Sequence, residues 1–534
     1  VAEGRWDFVL LGGTIIDGTG RPRFEGDVAL EGEHIAALGT LERERALHCL
    51  EVSGLVVCPG FVDIHSHSDL SLFVNPFAES KLLQGVTTEV VGNCGASAAP
   101  VPKEKRELMR GRLGFIAAEV DWRWESFGEY RQALGEAGLA VNVAPLVGHS
   151  TLRSVVVGEQ RSPAGARELS EMRRLLSQAL EEGAFGLSSG LTYVPGCFAD
   201  TEELVELARV LPEAGGFYAS HIRGEGQSLL SAVEEAIEIG RRSGAAVQIS
   251  HLKADGRENW GKTEECLTRI EGAGERVTYD AYPYTAWSTS LAQMLPEWAR
   301  AGSSEEMRAR LSDLDARTKL RAELERGPEE RWRERLIASV SRESNRWMQG
   351  LTLQQIAEKL ERPPAVALLD LLAEEGQQAT MVGFGMCERD VERVLAHPRG
   401  MIGSDAQASA PTGSLGRARP HPRAYGTFPR VLGHYVRERR LLTLEEAVAK
   451  MTLRPARKLG LADRGQLREG AAADVVVFDA EKIAERASYA DPHQFPAGIA
   501  YVFVNGALTA AGGALTGKAR GRVLSPGRSS ARLV

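Results

Sequence analysis

Short apolar runs, rich in β-branched and small residues, recur through the middle of the chain. They are LVVCPGFVDIH (55–65), VTTEVVG (86–92), VNVAPLVG (141–148), AFGLSSG (184–190), GFYASH (216–221), AVQISH (246–251), RVTYDAY (276–282) and GMIGSD (400–405). Between most of them lie amphipathic stretches such as ARELSEMRRLLSQALEEG and SLLSAVEEAIEIGRRSG. Their apolar residues return every three or four positions, the period of a helix with one buried face. Eight strands alternating with helices predict an α/β protein built on a TIM-type (β/α)8 barrel.

The two ends of the chain have a different rhythm. DFVLLGG, GTIIDG, GDVALEG and EHIAALG near the start, and ADVVVFD, GIAYVFVNG and GRVLSPG near the finish, are short runs closed by turn residues. That is a strand-and-hairpin pattern. Chain termini often lie close together, so both ends are expected to pair into one small β-sandwich domain. The expected division is 1–57 and 465–534 for that domain and 58–464 for the barrel. Within the barrel segment, about 295–375 is rich in Arg, Glu and Leu and reads as helices, most clearly in LTLQQIAEKLERPPAVALLDLLAEEG. It is expected to form a helical insertion near the barrel mouth. The run ATMVGF (379–384) is either an extra strand or the eighth barrel strand.

Composition narrows the function. The chain has 534 residues, 43% apolar and 25% charged, with a net charge of -8. It has no cluster of Lys and Arg of the kind that binds nucleic acid. No run approaches the roughly 20 apolar residues that span a bilayer. The first residues lack the basic start and apolar core of a signal peptide. Six cysteines at no framework spacing point to a reducing compartment. The protein reads as cytoplasmic, with neither nucleic acid nor membrane as partner; its oligomeric state is not legible.

The chemistry gathers at the strand ends, where TIM barrels place their catalytic groups. The first strand ends in His65-Ser66-His67; residues two apart on a strand share a face, and the following Asp69 could orient one imidazole. The second ends at Cys94, within EVVGNCGAS. The fifth ends in SHIRG with His221, the sixth in SHLKADG with His251 and Lys253, and the eighth in GSDAQ with Asp405. Cys94 alone could be a packed core thiol or a redox group. Beside four histidines and an aspartate at one rim, it reads as a metal ligand. Imidazole and thiolate suit zinc. Cys94, His221 and His251 would form a tight Cys-His-His site; His65, His67 and Asp405 would form a second, weaker one. Asp405 is also the candidate general base. His149 falls on the same rim without an assigned role.

At this point the sequence resembles a known family. GFVDIHSHSD, GVTTEVVGNCGASAAPV, AFGLSSGLTYVPG, SHIRGEG, ISHLKADG, TYDAYPYTA, MIGSDAQ and HPRAYGTFPRVLG are similar to the N-acyl-D-amino-acid deacylases (D-aminoacylases) of the amidohydrolase superfamily, over nearly the whole chain. The resemblance implies the same two zinc sites, with Asp405 as proton shuttle. It also implies that Lys253, Arg423, Tyr193, Tyr284 and Ser290 bind the substrate. Hydantoinase-like cousins carry a modified, metal-bridging lysine on the fourth strand. AFGLSSGLTYVPG has no lysine, so that role would pass to Cys94.

The expected activity is zinc-dependent hydrolysis of an N-acyl-D-amino acid to a carboxylate and a free D-amino acid. The substrate is the expected partner; its side chain and acyl group are open. Rivals are a related enzyme acting on D-dipeptides, N-acyl-D-glutamate or a cyclic amide, and a non-catalytic scaffold of the same architecture.

Overall fold

The computed structural model describes residues 5–159 and 161–527. The two tips assigned to the small β-domain, 1–4 and 528–534, lie outside the described residues.

All eight barrel strands form within the apolar runs of the middle of the chain. In chain order they are Phe61–Asp63, Val86–Val91, Asn142–Pro145 continuing as Val147–Gly148, Gly186–Gly190, Phe217–His221, Ala246–Ile249, Val277–Ala281 and Gly400–Ile402. Each pairs in parallel with the next. The third strand joins the two halves: Asn142–Pro145 pairs with the second strand and Val147–Gly148 with the fourth. A parallel bridge between Ser66 and Ala406 closes the ring, and the Asp405 backbone N–H donates to His65 O at 2.8 Å. The strands are almost wholly buried. That is why their sequences are continuous apolar runs rather than alternating ones. The helices Ala166–Glu181 and Leu229–Ser243 turn Met172, Leu176 and Ala179, or Ala232, Val233 and Ala236, onto the sheet.

Both ends of the chain enter one nine-stranded sheet, the β-sandwich region expected from the termini. Its core holds Leu10, Val28, Ile35, Val57, Val475, Val477 and Phe503. Trp6–Ile15 is long enough to serve two partners on one side: Ala46–Glu51 along its first half and Val56–Pro59 at its end.

Three expectations are corrected, and one open alternative is resolved. The run 55–65 is two strands, not one. Val56–Pro59 belongs to the terminal sheet, where it pairs with Val475–Phe478; the barrel begins only at Phe61. The turn is at Gly60, where a Cβ would lie 2.2 Å from Thr87 Oγ1. GRVLSPG makes a single parallel bridge, Val523 to Val143, rather than a strand. The insertion is not all helix, since Arg335–Ser339 is a strand; its five residues are too few for a period to show. ATMVGF supplies the extra strand, Thr380–Gly383, which pairs antiparallel with Trp287–Ser290 and Arg335–Ser339. This small sheet and helices including Leu353–Leu360 and Pro364–Glu375 share a separate apolar core, with Leu320, Ile337, Ile356, Leu368 and Met381. Among the described residues no helix is long and apolar enough to cross a membrane.

Beneath the barrel mouth sits a buried lysine. Lys81 Nζ donates at 2.7 Å to Asp63 Oδ2, Ser404 Oγ and Ala406 O, and lies 3.4 Å from Glu89 Oε2. Lys81, Asp63 and Glu89 are all 0% exposed. One ammonium thus ties the first, second and eighth strands at the level from which His65, His67 and Asp405 project. Removing one partner of a buried ion pair leaves the other charge stranded. Lys81→Met is therefore expected to lower stability by about 3–5 kcal/mol. Urea midpoints at fixed zinc concentration check this; an unchanged midpoint would contradict it.

Candidate active site

The strand ends bring the six expected donor residues together. Cys94 Sγ lies 3.3 Å from His65 Nε2 and 3.4 Å from His251 Nε2. Asp405 Oδ1 lies 3.0 Å from His67 Nε2 and 3.4 Å from His65 Nε2. Among the described residues, two groups have their ligand atoms within 4.8 Å of one another: His65, His67, Cys94 and Asp405, and Cys94, His221 and His251. Cys94 belongs to both. The geometry therefore groups Cys94 with the first-strand histidines as well as with His221 and His251.

The backbone under these donors is unusual. Among the described residues seven non-glycine positions have positive φ, and three are donors: Cys94 at 52°, His251 at 34° and Asp405 at 51°. A left-handed non-glycine residue is strained, and such strain clusters at functional sites. Gly92, at φ 78°, allows the Cys94 turn; a Cβ there would lie 2.3 Å from Leu146 O.

The donor set fits a metal ion. Donor atoms bound to one ion at about 2.0–2.3 Å sit roughly 3.3–3.8 Å apart in a tetrahedron, close to the Cys94–His65 and Cys94–His251 separations. His221 points the same way. Its Nε2 lies 2.9 Å from Thr192 Oγ1, while its Nδ1 is buried without a hydrogen-bond partner. A buried polar atom left so is costly, and a metal would satisfy it. Burial pushes the Cys94 thiol up, but the charges of His65 and His251 and hydrogen bonds from His221 and His251 outweigh it. The thiol is held well below its ordinary range, in the form that binds metal. Burial likewise raises Asp405, yet Arg423, His251, His67 and His65 hold its carboxyl well below the usual value.

Sequence reasoning missed the groups that hold these donors. Asp69 does not orient a histidine: its Oδ1 is buried without a hydrogen-bond partner, and burial lifts its carboxyl to about 6. Asp280, at the end of the seventh strand, does that work. Its Oδ1 lies 3.0 Å from His65 Nδ1 and accepts from the His251 backbone N–H at 2.8 Å, and its Oδ2 accepts from Gln248 Nε2 at 2.9 Å. Thr192 and Glu225 were also missed. The signal was present for Asp280, a carboxylate at a barrel-strand end in TYDAYPYTA. His149 faces away from the site. Its Nε2 lies 2.8 Å from Glu203 Oε1, and Arg153 pairs with the same carboxylate.

The donors open onto a cavity of about 620 Å³. Of the five residues expected to bind substrate, Lys253, Arg423, Tyr193 and Ser290 line it. Arg423 Nη1 is 2.7 Å from Asp405 Oδ2, off the hydrogen-bonding direction, and Nη2 donates to Ser288 O at 3.3 Å. Tyr193 Oη is 3.0 Å from Thr289 Oγ1. Ser290 Oγ accepts from the Ala292 N–H at 3.3 Å, so it also caps a turn of the insertion. Tyr284 is turned away: it is 3% exposed, does not line the cavity, and donates to Glu485 Oε1 at 2.6 Å. Tyr282 of the same YPY segment is the nearer ring, lying 4.8 Å beneath the Arg423 guanidinium and 5.7 Å from Lys253 Nζ.

A closed parallel barrel with thiolate, imidazole and carboxylate donors at its strand ends defines a metal-dependent hydrolase of the amidohydrolase class. The comparisons agree. Residues 52–359 and 389–510 match the model of the Amidohydrolase family. The chain is 39% identical to the D-aminoacylase of Alcaligenes xylosoxydans xylosoxydans over 522 residues, 97% of this chain and 98% of that one. It superposes on a solved D-aminoacylase with a TM-score of 0.81 at 39% identity, covering 97% and 100% of the two chains. That work describes a binuclear metal center with one-metal activation and second-metal attenuation. The N-acyl-D-glutamate deacylase of Bordetella bronchiseptica, solved with zinc and a phosphonate mimic of the tetrahedral intermediate, matches with a TM-score of 0.82 at 38% identity over 98% and 100% of the chains. The chain belongs to the D-aminoacylase family of the amidohydrolases and is a metal-dependent amidohydrolase.

Partners that orient ligating histidines are commonly worth 10–100-fold in metal affinity. Asp280→Asn is therefore expected to lose metal about 10–100 times more readily than the parent. Titration with a chelator, followed by metal analysis, checks this; parent-like retention would remove Asp280 from the site.

Proposed function

We propose that the protein hydrolyses the amide of N-acyl-D-amino acids, releasing a carboxylic acid and a free D-amino acid. The observation that carries this reading is the convergence of Cys94, His221 and His251 beside Asp405, with Arg423 and Lys253 in the same cavity wall. That arrangement offers a Lewis acid, a proton carrier and a cationic grip within one cavity.

We assign the tight zinc site to Cys94, His221 and His251, and a second, weaker site to His65, His67 and Asp405, with Cys94 close enough to serve both. A zinc ion held there would supply polarisation of the scissile carbonyl and activation of water. The remaining steps belong to the chain. Lys253 and Arg423 take the substrate carboxylate, and Arg423 suits it as a planar fork of donors. Tyr193 and Ser290 flank the same space. Asp405 accepts the proton of the attacking water and returns it to the amide nitrogen as the C–N bond breaks. Holding carboxylate and amide at two fixed points orders the reaction. It also selects the hand: an L-substrate cannot put carboxylate, side chain and amide into their three places together.

All six cysteines are unpaired, which supports the cytoplasmic reading. Two of the relatives differ in what they are named for, D-aminoacylase and N-acyl-D-glutamate deacylase. At comparable identity to both, the preferred side chain is a matter for assay.

The zinc-loaded protein is expected to release amine from N-acetyl-D-leucine, N-acetyl-D-glutamate or N-acetyl-D-aspartate at least about 100-fold faster than from the L-forms. A discrimination of that size is within reach of a site that strands a polar group when the wrong hand binds. Equal rates on both hands would sink the reading. Asp405→Asn is expected to retain the tight metal and lose at least about 100-fold in kcat, the usual worth of a positioned general base. Paired metal analysis and steady-state kinetics separate the two effects.

A further inference from the structure

Glu225 lies in the loop after the fifth barrel strand, in SHIRGEG, and no step above uses it. It lines the cavity, and its Oε1 is shared by two site residues. Lys253 Nζ donates to it at 2.5 Å, and His251 Nδ1 lies 3.0 Å away. Lys253 Nζ and His251 Nδ1 are themselves 2.8 Å apart. The three groups form a triangle with the carboxylate at one corner.

The triangle has only one consistent assignment of protons once His251 serves a metal. Its Nε2, which faces Cys94 Sγ at 3.4 Å, must then be the unprotonated nitrogen, so Nδ1 carries the hydrogen and can only donate. An ammonium has three donors and no lone pair. Lys253 therefore cannot accept from Nδ1, and two donors are held 2.8 Å apart. What makes this tolerable is a common acceptor, and Glu225 Oε1 is that acceptor. His251 and Lys253 stand two residues apart just past the sixth strand, with Nδ1 and Nζ 2.8 Å apart, so one carboxylate reaches both.

We propose that Glu225 is a positioning residue that couples the metal centre to the substrate's carboxylate grip. It fixes the tautomer and ring orientation of His251, and it presets the ammonium of Lys253 toward the cavity. The Lys253 half rests on the deacylase reading above; the His251 half does not. Without the carboxylate the two donors face each other unscreened, and Lys253 withdraws or the His251 ring turns.

The test is a double-mutant cycle on the zinc-loaded enzyme. Glu225→Gln keeps the shape and one acceptor oxygen while removing the charge. It is expected to raise KM for an N-acetyl-D-amino acid about 10-fold or more, the worth of one charge-assisted hydrogen bond, with a smaller change in kcat. Combined with Lys253→Met, it is expected to add little further loss in kcat/KM, because both substitutions remove one unit; coupled groups are non-additive. Chelator titration is expected to show faster zinc loss in Glu225→Gln than in Lys253→Met. Fully additive losses, or parent-like KM and zinc retention in Glu225→Gln, would overturn the proposal. If the parent hydrolyses no N-acyl-D-amino acid, the deacylase reading fails, and the chelator arm still decides for or against the His251 half. Circular dichroism of each variant separates these outcomes from misfolding.

Discussion

The structure turns on one constraint: six metal-type donors are held within a few ångströms of one another, largely out of water. Cys94, His221, His251 and Asp405 are each less than 10% exposed, and His65 is fully buried. Desolvating a thiolate and a carboxylate is costly unless opposite charge is close. Left-handed backbone at Cys94, His251 and Asp405 adds strain of about 1–3 kcal/mol at each position. Nothing in the apolar core requires that arrangement. A bound cation does, because it turns the crowding of donors into coordination.

Holding such a site takes support from beneath and beside it. Beneath it, Lys81 binds Asp63, Ser404 and Ala406 O, and so pins the first strand to the eighth where the barrel closes. Beside it, Asp280 holds His65 and the backbone of His251, Thr192 holds His221, and Glu225 holds His251 and Lys253. His65, His221 and His251 thus each have a ring nitrogen held by a polar side chain outside the donor set. His67 is the most open, with its side chain 32% exposed and its ring bound to Asp405 itself.

The insertion has its own core, so it can shape the cavity without loosening the barrel. The strand Trp287–Ser290, just ahead of the insertion, and the segment after it put Ser288, Thr289, Ser290 and Ala292 on the cavity wall. Tyr193, from the loop after the fourth barrel strand, meets Thr289 of that strand. A loop from the other end of the chain braces this region from behind. Glu485 accepts from Tyr284 and pairs with Arg430 at 3.0 Å. The YPY segment is therefore divided: Tyr282 lies under the Arg423 guanidinium, and Tyr284 serves as a strut.

The sequence by itself determined the eight barrel strands, the β-structure at both ends and the six donors at the strand tips. Burial and strand pairing leave a periodic mark, and donor-type residues fall at the ends of the marked runs. EVVGNCGAS is the clearest case, where the position of Cys94 after a buried strand, rather than its identity, made it a ligand candidate. What tertiary structure alone decided is which side chains face each other across strands far apart in the chain. Asp280 rather than Asp69 holds His65, Tyr284 turns to Glu485, and Glu225 joins His251 to Lys253. His149 turns to Glu203 although it stands on the same rim. These choices depend on rotamers and on loops that meet only after the barrel closes. A one-dimensional pattern records which residues are buried, not which partner each buried polar atom finds.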